Sequence, residues 1–123
     1  MIIVKFDSKK GTLHSKFEGK VTLKEIVDYI VATKENKSYP RVLKILTNAT
    51  HADMVFSPED LAIIVEENYK SLEKYEYIID AIVISSPKET AFSVLYQELA
   101  KTKKYLFQVF STDKAAIEWL DQT

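Results

Sequence analysis

His51-Ala52-Asp53 is the place where a histidine and a carboxylate stand close enough in sequence to suggest a metal ligand pair or a proton-transfer pair. It falls where the third of five predicted strands should give way to a loop. That is the carboxyl edge, where open α/β sheets bind their ligands. A metal would need at least one further converging ligand, and the only other histidine, His14, lies on the solvent side of a strand. A surface loop is the simpler reading, with a ligand or proton-transfer group as the alternative. Other chemistry is less well served. There is no G-x-S-x-G elbow, and no motif sets either histidine beside a serine. With only Gly11 and Gly19, no glycine-rich phosphate loop can form. Glu59-Asp60 and Glu66-Glu67 lie in a predicted helix, where sequence neighbours point apart, so they read as solvated faces. A receiver-type phosphoacceptor is excluded because position 48 is Asn and the first strand leads into a hairpin. The chain has no Cys, hence no disulfide framework, thiolate zinc site or cysteine nucleophile. No catalytic residue can be named, no metal or cofactor is expected, and the chain is not expected to be an enzyme.

Lys44 and Asp80 each interrupt an apolar strand, and buried charges are costly unless paired. The expectation is that the two strands are neighbours and that Lys44 meets Asp80, or that each sits at a solvated strand end. Met54-Val55 precedes Phe56 in a stretch with no evident reason to be apolar, and Phe92 and Tyr96 open a later helix. If these converge with Tyr69, they form an apolar mouth at the carboxyl edge. Ordinary packing is the plain alternative to a ligand pocket or a protein-contact patch. Ser57-Pro58-Glu59-Asp60 and Ser86-Pro87-Lys88-Glu89 repeat one pattern: Ser at N-cap, Pro at N1, acid at N3. Helix starting is a sufficient explanation, and the acids already hold the end of the dipole where an anion would bind.

These residues must be positioned by 123 residues of ordinary composition, 46% apolar and 28% charged, which is one domain's worth of chain. Seventeen cations against eighteen acids leave a net charge of −1, and Arg41 is the only arginine. Nucleic-acid binding, which rests on clustered cations, is not expected. No apolar run approaches the roughly 18 residues of a membrane span, and no signal-like stretch precedes the first charges. A cytoplasmic domain over residues 1–123 is expected.

Strands are predicted at 2–6, 12–18, 41–47, 78–84 and 105–110. The second alternates, with Leu13, Ser15 and Phe17 on one side, as a near-edge strand should. The other three cores are near-continuously apolar, the mark of parallel strands covered on both faces. Helices are predicted at about 23–35, 58–74, 87–101 and 113–121. The first begins with Thr22 and Glu25 as a capping box and Val21 stapling onto Ile26. The order β-β-α-β-α-β-α-β-α implies an α/β fold, a mixed, mostly parallel sheet with right-handed crossover helices. If every crossover packs on one face, the other face needs cover, which a homodimer could supply.

The last third of the chain carries a resemblance. Ser85-Ser86-Pro87 closes a strand and Ala91-Phe92-Ser93-Val94-Leu95-Tyr96 opens the next helix. Gln108-Val109-Phe110 then leads into Asp113-Lys114-Ala115-Ala116-Ile117-Glu118-Trp119-Leu120. With Gly19-Lys20-Val21-Thr22 before the first helix, the chain resembles the bacterial SpoIIAA-like group of the STAS superfamily (sulfate transporter and anti-sigma-factor antagonist domains), also grouped with SEC14-like domains. It departs from that family at 47–56, which lacks the phosphorylated Asp-Ser/Thr-Ser/Thr-Gly motif. The resemblance implies a single-domain SpoIIAA-like fold and a non-catalytic binding or regulatory module. Its working surface would be the carboxyl edge: Asn48, Thr50, His51, Met54 and Ser57, with Ser86, Phe92 and Tyr96. The partner would be a protein or, as SEC14-like kinship suggests, a small apolar or lipid-like ligand.

Overall fold

A computed structural model describing residues 1–123 gives β1 (Ile2–Asp7), β2 (Thr12–Val21), α1 (Leu23–Glu35), β3 (Val42–Met54), α2 (Leu61–Ser71), β4 (Tyr77–Val83), α3 (Pro87–Leu99), β5 (Tyr105–Phe110) and α4 (Asp113–Gln122). The expected element order is met. The β1–β2 turn is set by Asp7, whose Oδ1 accepts from the N–H groups of Lys9 and Lys10, and by Gly11 at φ 67°. The capping box at α1 is formed as predicted: Glu25 N–H donates to Thr22 Oγ1 and Thr22 N–H to Glu25 Oε1, both at 3.2 Å.

Strand order in the sheet is β1-β2-β3-β4-β5, antiparallel only between β1 and β2. Each parallel strand thus lies beside its predecessor on the same side, and right-handed crossovers must then put α1, α2 and α3 on one face. They do. Leu13, Phe17, Ile45 and Ile78 join Ile26, Ile64 and Tyr96 in the larger core. Only α4, which follows the last strand, is free to reach the other face. Its Ala116 and Leu120 cover Leu46, Ile79, Ala81 and Val83. The face that a second copy could have covered is therefore covered from within the chain, and that reason for a homodimer is removed.

Three expectations need correction. First, 48–54 is not a loop. β3 runs on to Met54 and stays paired with an extended β2, Val21 opposite Met54 and Lys20 opposite Asp53, after one extra residue near Asn48–His51. Pairing with β4 stops at Asn48–Val83, so the extension has a single partner strand, and His51 and Asp53 on it are exposed. Polar residues are tolerated there, which is why an apolar-run criterion ended the strand too early. Second, α2 is shorter than 58–74, because Pro58–Asp60 form a 3-10 turn and the helix stops at Ser71. Third, Lys44 and Asp80 do not meet. Lys44 is in register with Ile79, and Asp80 with Ile45, so one residue of offset places the two charges on opposite faces. Lys44 Nζ instead donates to Leu120 O at 2.6 Å, at the carboxyl end of α4.

Where α1, α2 and β3 converge, Arg41 ties the connections together. Its guanidinium donates to the carbonyls of Lys74 (2.9 Å), Asn36 (3.0 Å) and Tyr39, and lies 4.3 Å over the ring of Tyr75. No helix is long and apolar enough to cross a membrane.

Candidate functional site

The alternation of β4 places Ile78, Asp80 and Ile82 on the face toward α1–α3. Register puts Ile45 and Thr47 of β3 on one side of them and Tyr105 and Phe107 of β5 on the other. The helices do not close completely over this part of the sheet. A cavity of about 100 Å³ lies between them, its wall contributed by β2–β5, by Ile26, Tyr29 and Ile30 of α1, by Leu61, Ile64 and Asn68 of α2, and by Phe92, Ser93 and Tyr96 of α3. Protein cores are packed as densely as organic crystals, so a void of this size is a feature to be explained.

The polar groups at its wall are mostly committed to each other. Tyr29 and Ser15 share a hydrogen bond of 2.5 Å, Asn68 donates to the Tyr96 hydroxyl, and Tyr96 donates to Tyr105 at 3.0 Å. Burial pushes the hydroxyl pKa of all three tyrosines up. Asp80 differs. Thr47 Oγ1 donates to its Oδ1 at 2.9 Å, and no ion pair reaches it. Burial raises the carboxyl from its ordinary 3.8 to about 7, only partly offset by the Thr47 hydrogen bond. Asp80 is half-buried and lines the cavity.

Aromatic rings form much of the rest. Phe56 and Phe92 stack at 5.4 Å near the carboxyl edge of the sheet, while Tyr96 meets Phe107 edge-on at 4.9 Å. The end of β3 is pinned to the start of α3 beside this stack. Glu89, 3% exposed, accepts from Met54 N–H at 3.0 Å and from Ser86 Oγ, and Lys88 bridges Glu89 and Asp53. Burial of Glu89 pushes its carboxyl up, but those donors together outweigh it and hold the pKa below the ordinary value.

Of the eight residues that the sequence singled out, Met54, Phe92 and Tyr96 line this cavity and the other five do not. Asn48 lies on the α4 side of β3, its Oδ1 accepting from the N–H and hydroxyl of Thr50. His51 is exposed on the strand extension opposite Glu18. Ser57 and Ser86 act at helix starts: Ser57 N–H donates to Asp60 Oδ2, and Ser86 bonds Glu89. Asp53, the acid beside His51, pairs with Lys88 at 2.6 Å. No group of three or more His, Asp or Glu side chains is gathered in metal-binding proximity. Tyr69, expected at the apolar mouth, is exposed and reaches Leu99 O at 3.5 Å.

Sequence reasoning missed Thr47, Tyr29, Asn68 and Tyr105 as wall residues, and read Asp80 as paired with Lys44 or at a solvated strand end. The usable signal was the period of two: Ile78, Asp80 and Ile82 share one face with an acid in the middle. No apolar strand tolerates that without a partner or a cavity.

No family model matches the chain, and no curated protein matches it in sequence. Among solved structures it is similar to an uncharacterised protein of the DUF3478 family with a SpoIIAA-like fold from Shewanella loihica PV-4. The TM-score is 0.60 at 16% identity, over 98% of this chain and 92% of that one. It is also similar to the anti-sigma factor antagonist SpoIIAA in its unphosphorylated form (TM-score 0.58, 12% identity, all of both chains). The phosphorylated form of the Bacillus cell fate determinant SpoIIAA gives a TM-score of 0.56 at 13% identity, over 98% of this chain and 99% of that one. The chain has a SpoIIAA-like fold.

Proposed function

We propose that this protein is a non-catalytic binding module, a cytoplasmic domain over residues 1–123, that takes a small apolar molecule into the cavity between its sheet and α1–α3 as a carrier or sensor. The cavity itself carries the reading. Leaving about 100 Å³ unfilled in a core costs on the order of 2 kcal/mol, from about 24 cal/mol per Å³. A ligand of matching shape recovers that cost. The lining is apolar with a few convergent polar groups, the usual character of a small-molecule site, and the Phe56–Phe92 stack stands at the edge where α/β sheets admit ligands.

The remaining chemistry supports binding over catalysis. Both histidines are exposed, Asp53 is held by Lys88, and the hydroxyl of Thr50 is engaged by Asn48. A phospho-switch of the kind known in the anti-sigma-factor antagonists is not proposed, because residues 47–56 offer no matching Ser/Thr-Gly motif. A second reading, contact with a protein partner, is favoured by the exposed Val55 beside Phe56 at this edge and by the exposed Leu95 and Leu99 further along α3.

The test is native mass spectrometry of protein purified gently from its host, followed by NMR titration of stripped protein with benzene and 1-hexanol. A small-molecule adduct, or saturable shifts confined to residues around the cavity and abolished in a folded Ile82→Phe variant, supports the reading. A bare mass together with no saturable shifts overturns it.

A further inference from the structure

The class of molecule that the site would take rests on the cavity reading and on the chemistry of the wall. Apart from tyrosine hydroxyls, Asp80 is the only acid or base at the cavity wall; no Lys, Arg or His contributes to it. The other polar side chains there already have partners. Ser71 donates to Glu67 O, Ser93 to Glu89 O and Thr33 to Tyr29 O, and the tyrosines are bonded as described. Asp80 accepts only from Thr47, on Oδ1; its Oδ2 receives no donor from the chain, at the wall of an otherwise apolar and aromatic space.

We propose that the cavity takes a small apolar organic amine, its ammonium on Asp80 and its hydrocarbon among the rings of Tyr29, Tyr96 and Phe107. A neutral alcohol or amide could be oriented by a hydroxyl or carboxamide without keeping an acid in an apolar interior, which is costly. A carboxylate ligand would meet like charge and no cation. An ammonium alone converts the cost of burying Asp80 into attraction, and aromatic walls favour a cation further.

The pH dependence follows from the same geometry. Sharing the cavity wall with Asp80 are Tyr29 from α1, Thr47 from β3, Asn68 from α2, Tyr96 from α3, and Tyr105 and Phe107 from β5. Thr47, Asn68 and Phe107 do not titrate, and the three tyrosines are shifted upward, so Asp80 alone changes charge near neutrality. An alkyl ammonium stays protonated to about pH 10. Amine binding draws Asp80 into its ionised form, so affinity should rise from acid to mildly alkaline pH.

Isothermal titration of the full chain with n-hexylamine, 1-hexanol and hexanoate at pH 5.5 and 8 tests this. Hexylamine is expected to bind at least tenfold more tightly than 1-hexanol at pH 8, and at least tenfold more tightly at pH 8 than at pH 5.5. In Asp80→Asn the preference should vanish while 1-hexanol still binds. Equal affinity for hexylamine and hexanol, preferred binding of hexanoate, or an amine affinity flat with pH would overturn the amine and leave the cavity reading intact. Binding of none of the three by folded protein overturns both.

Discussion

Replacing Asp80 by asparagine should stabilise this protein, and by an amount that depends on pH. The unfolded chain ionises Asp80 near 3.8, whereas the folded protein holds the proton to about pH 7. Between those values the folded state binds more protons than the unfolded state, so stability falls as pH rises and levels off above about 7. Each pH unit across that interval is worth about 1.4 kcal/mol, which puts the full loss at roughly 4 kcal/mol, most of it incurred between pH 4.5 and 8. The asparagine side chain has nothing to ionise and can still accept from Thr47. Urea unfolding of wild type and D80N at pH 4.5 and pH 8 gives four free energies, and the advantage of the variant should grow by about 3 kcal/mol between the two pH values. Differencing removes groups common to both proteins. That includes Glu89, whose pKa is shifted the other way. The tyrosines around Asp80 are raised and do not titrate in this window. An advantage equal at both pH values would show that Asp80 is ionised in the native state and that its burial does not hold the proton.

Glu89→Gln should cost about 1–3 kcal/mol, read from the urea midpoint at pH 7, since it weakens charge-assisted bonds from Ser86, Met54 N–H and Lys88 to a buried carboxylate. Because its native pKa lies below the ordinary 4.5, the wild-type contribution is complete above that value and fades as pH falls through the lowered pKa. The loss on substitution should shrink accordingly in acid. Arg41→Ala should cost about 1–2 kcal/mol and Arg41→Lys nearly as much, because a point charge cannot span the three carbonyls or lie flat over Tyr75 as the fork does. Full stability in Arg41→Lys, measured by the same urea unfolding, would show that only the charge matters.

The parts of the fold legible in the sequence are those written in local chemistry. Thr22 and Glu25 announce α1, and the alternation of Leu13, Ser15 and Phe17 announces a half-solvated strand; both are formed as read. The β3 extension was illegible because its strand character comes from a partner: His51–Met54 pair with a lengthened β2, and nothing in their own sequence says so. The candidate site was half legible. Met54, Phe92 and Tyr96 stood out as apolar or aromatic residues at the carboxyl edge, where α/β topology predicts a pocket. Asp80 stood out as well, but its role turned on a single residue of register. Opposite Lys44 it would have been an ion pair; opposite Ile45 it is an isolated acid in a cavity.

That α4 alone covers the second face of the sheet bears on how the chain survives its own synthesis. At roughly 5–20 residues per second, emerging chain can pair β1 to β5 in order, each strand adding beside the last. Until residues 113–122 dock, however, Leu46, Ile79, Ala81 and Val83 form a bare apolar surface on the sheet. A chain cut short before α4 would therefore present a surface well suited to chaperone capture or to sticking to its neighbours. The Lys44–Leu120 hydrogen bond, spanning 76 residues of sequence, closes only when the last helix docks and marks the end of that exposure.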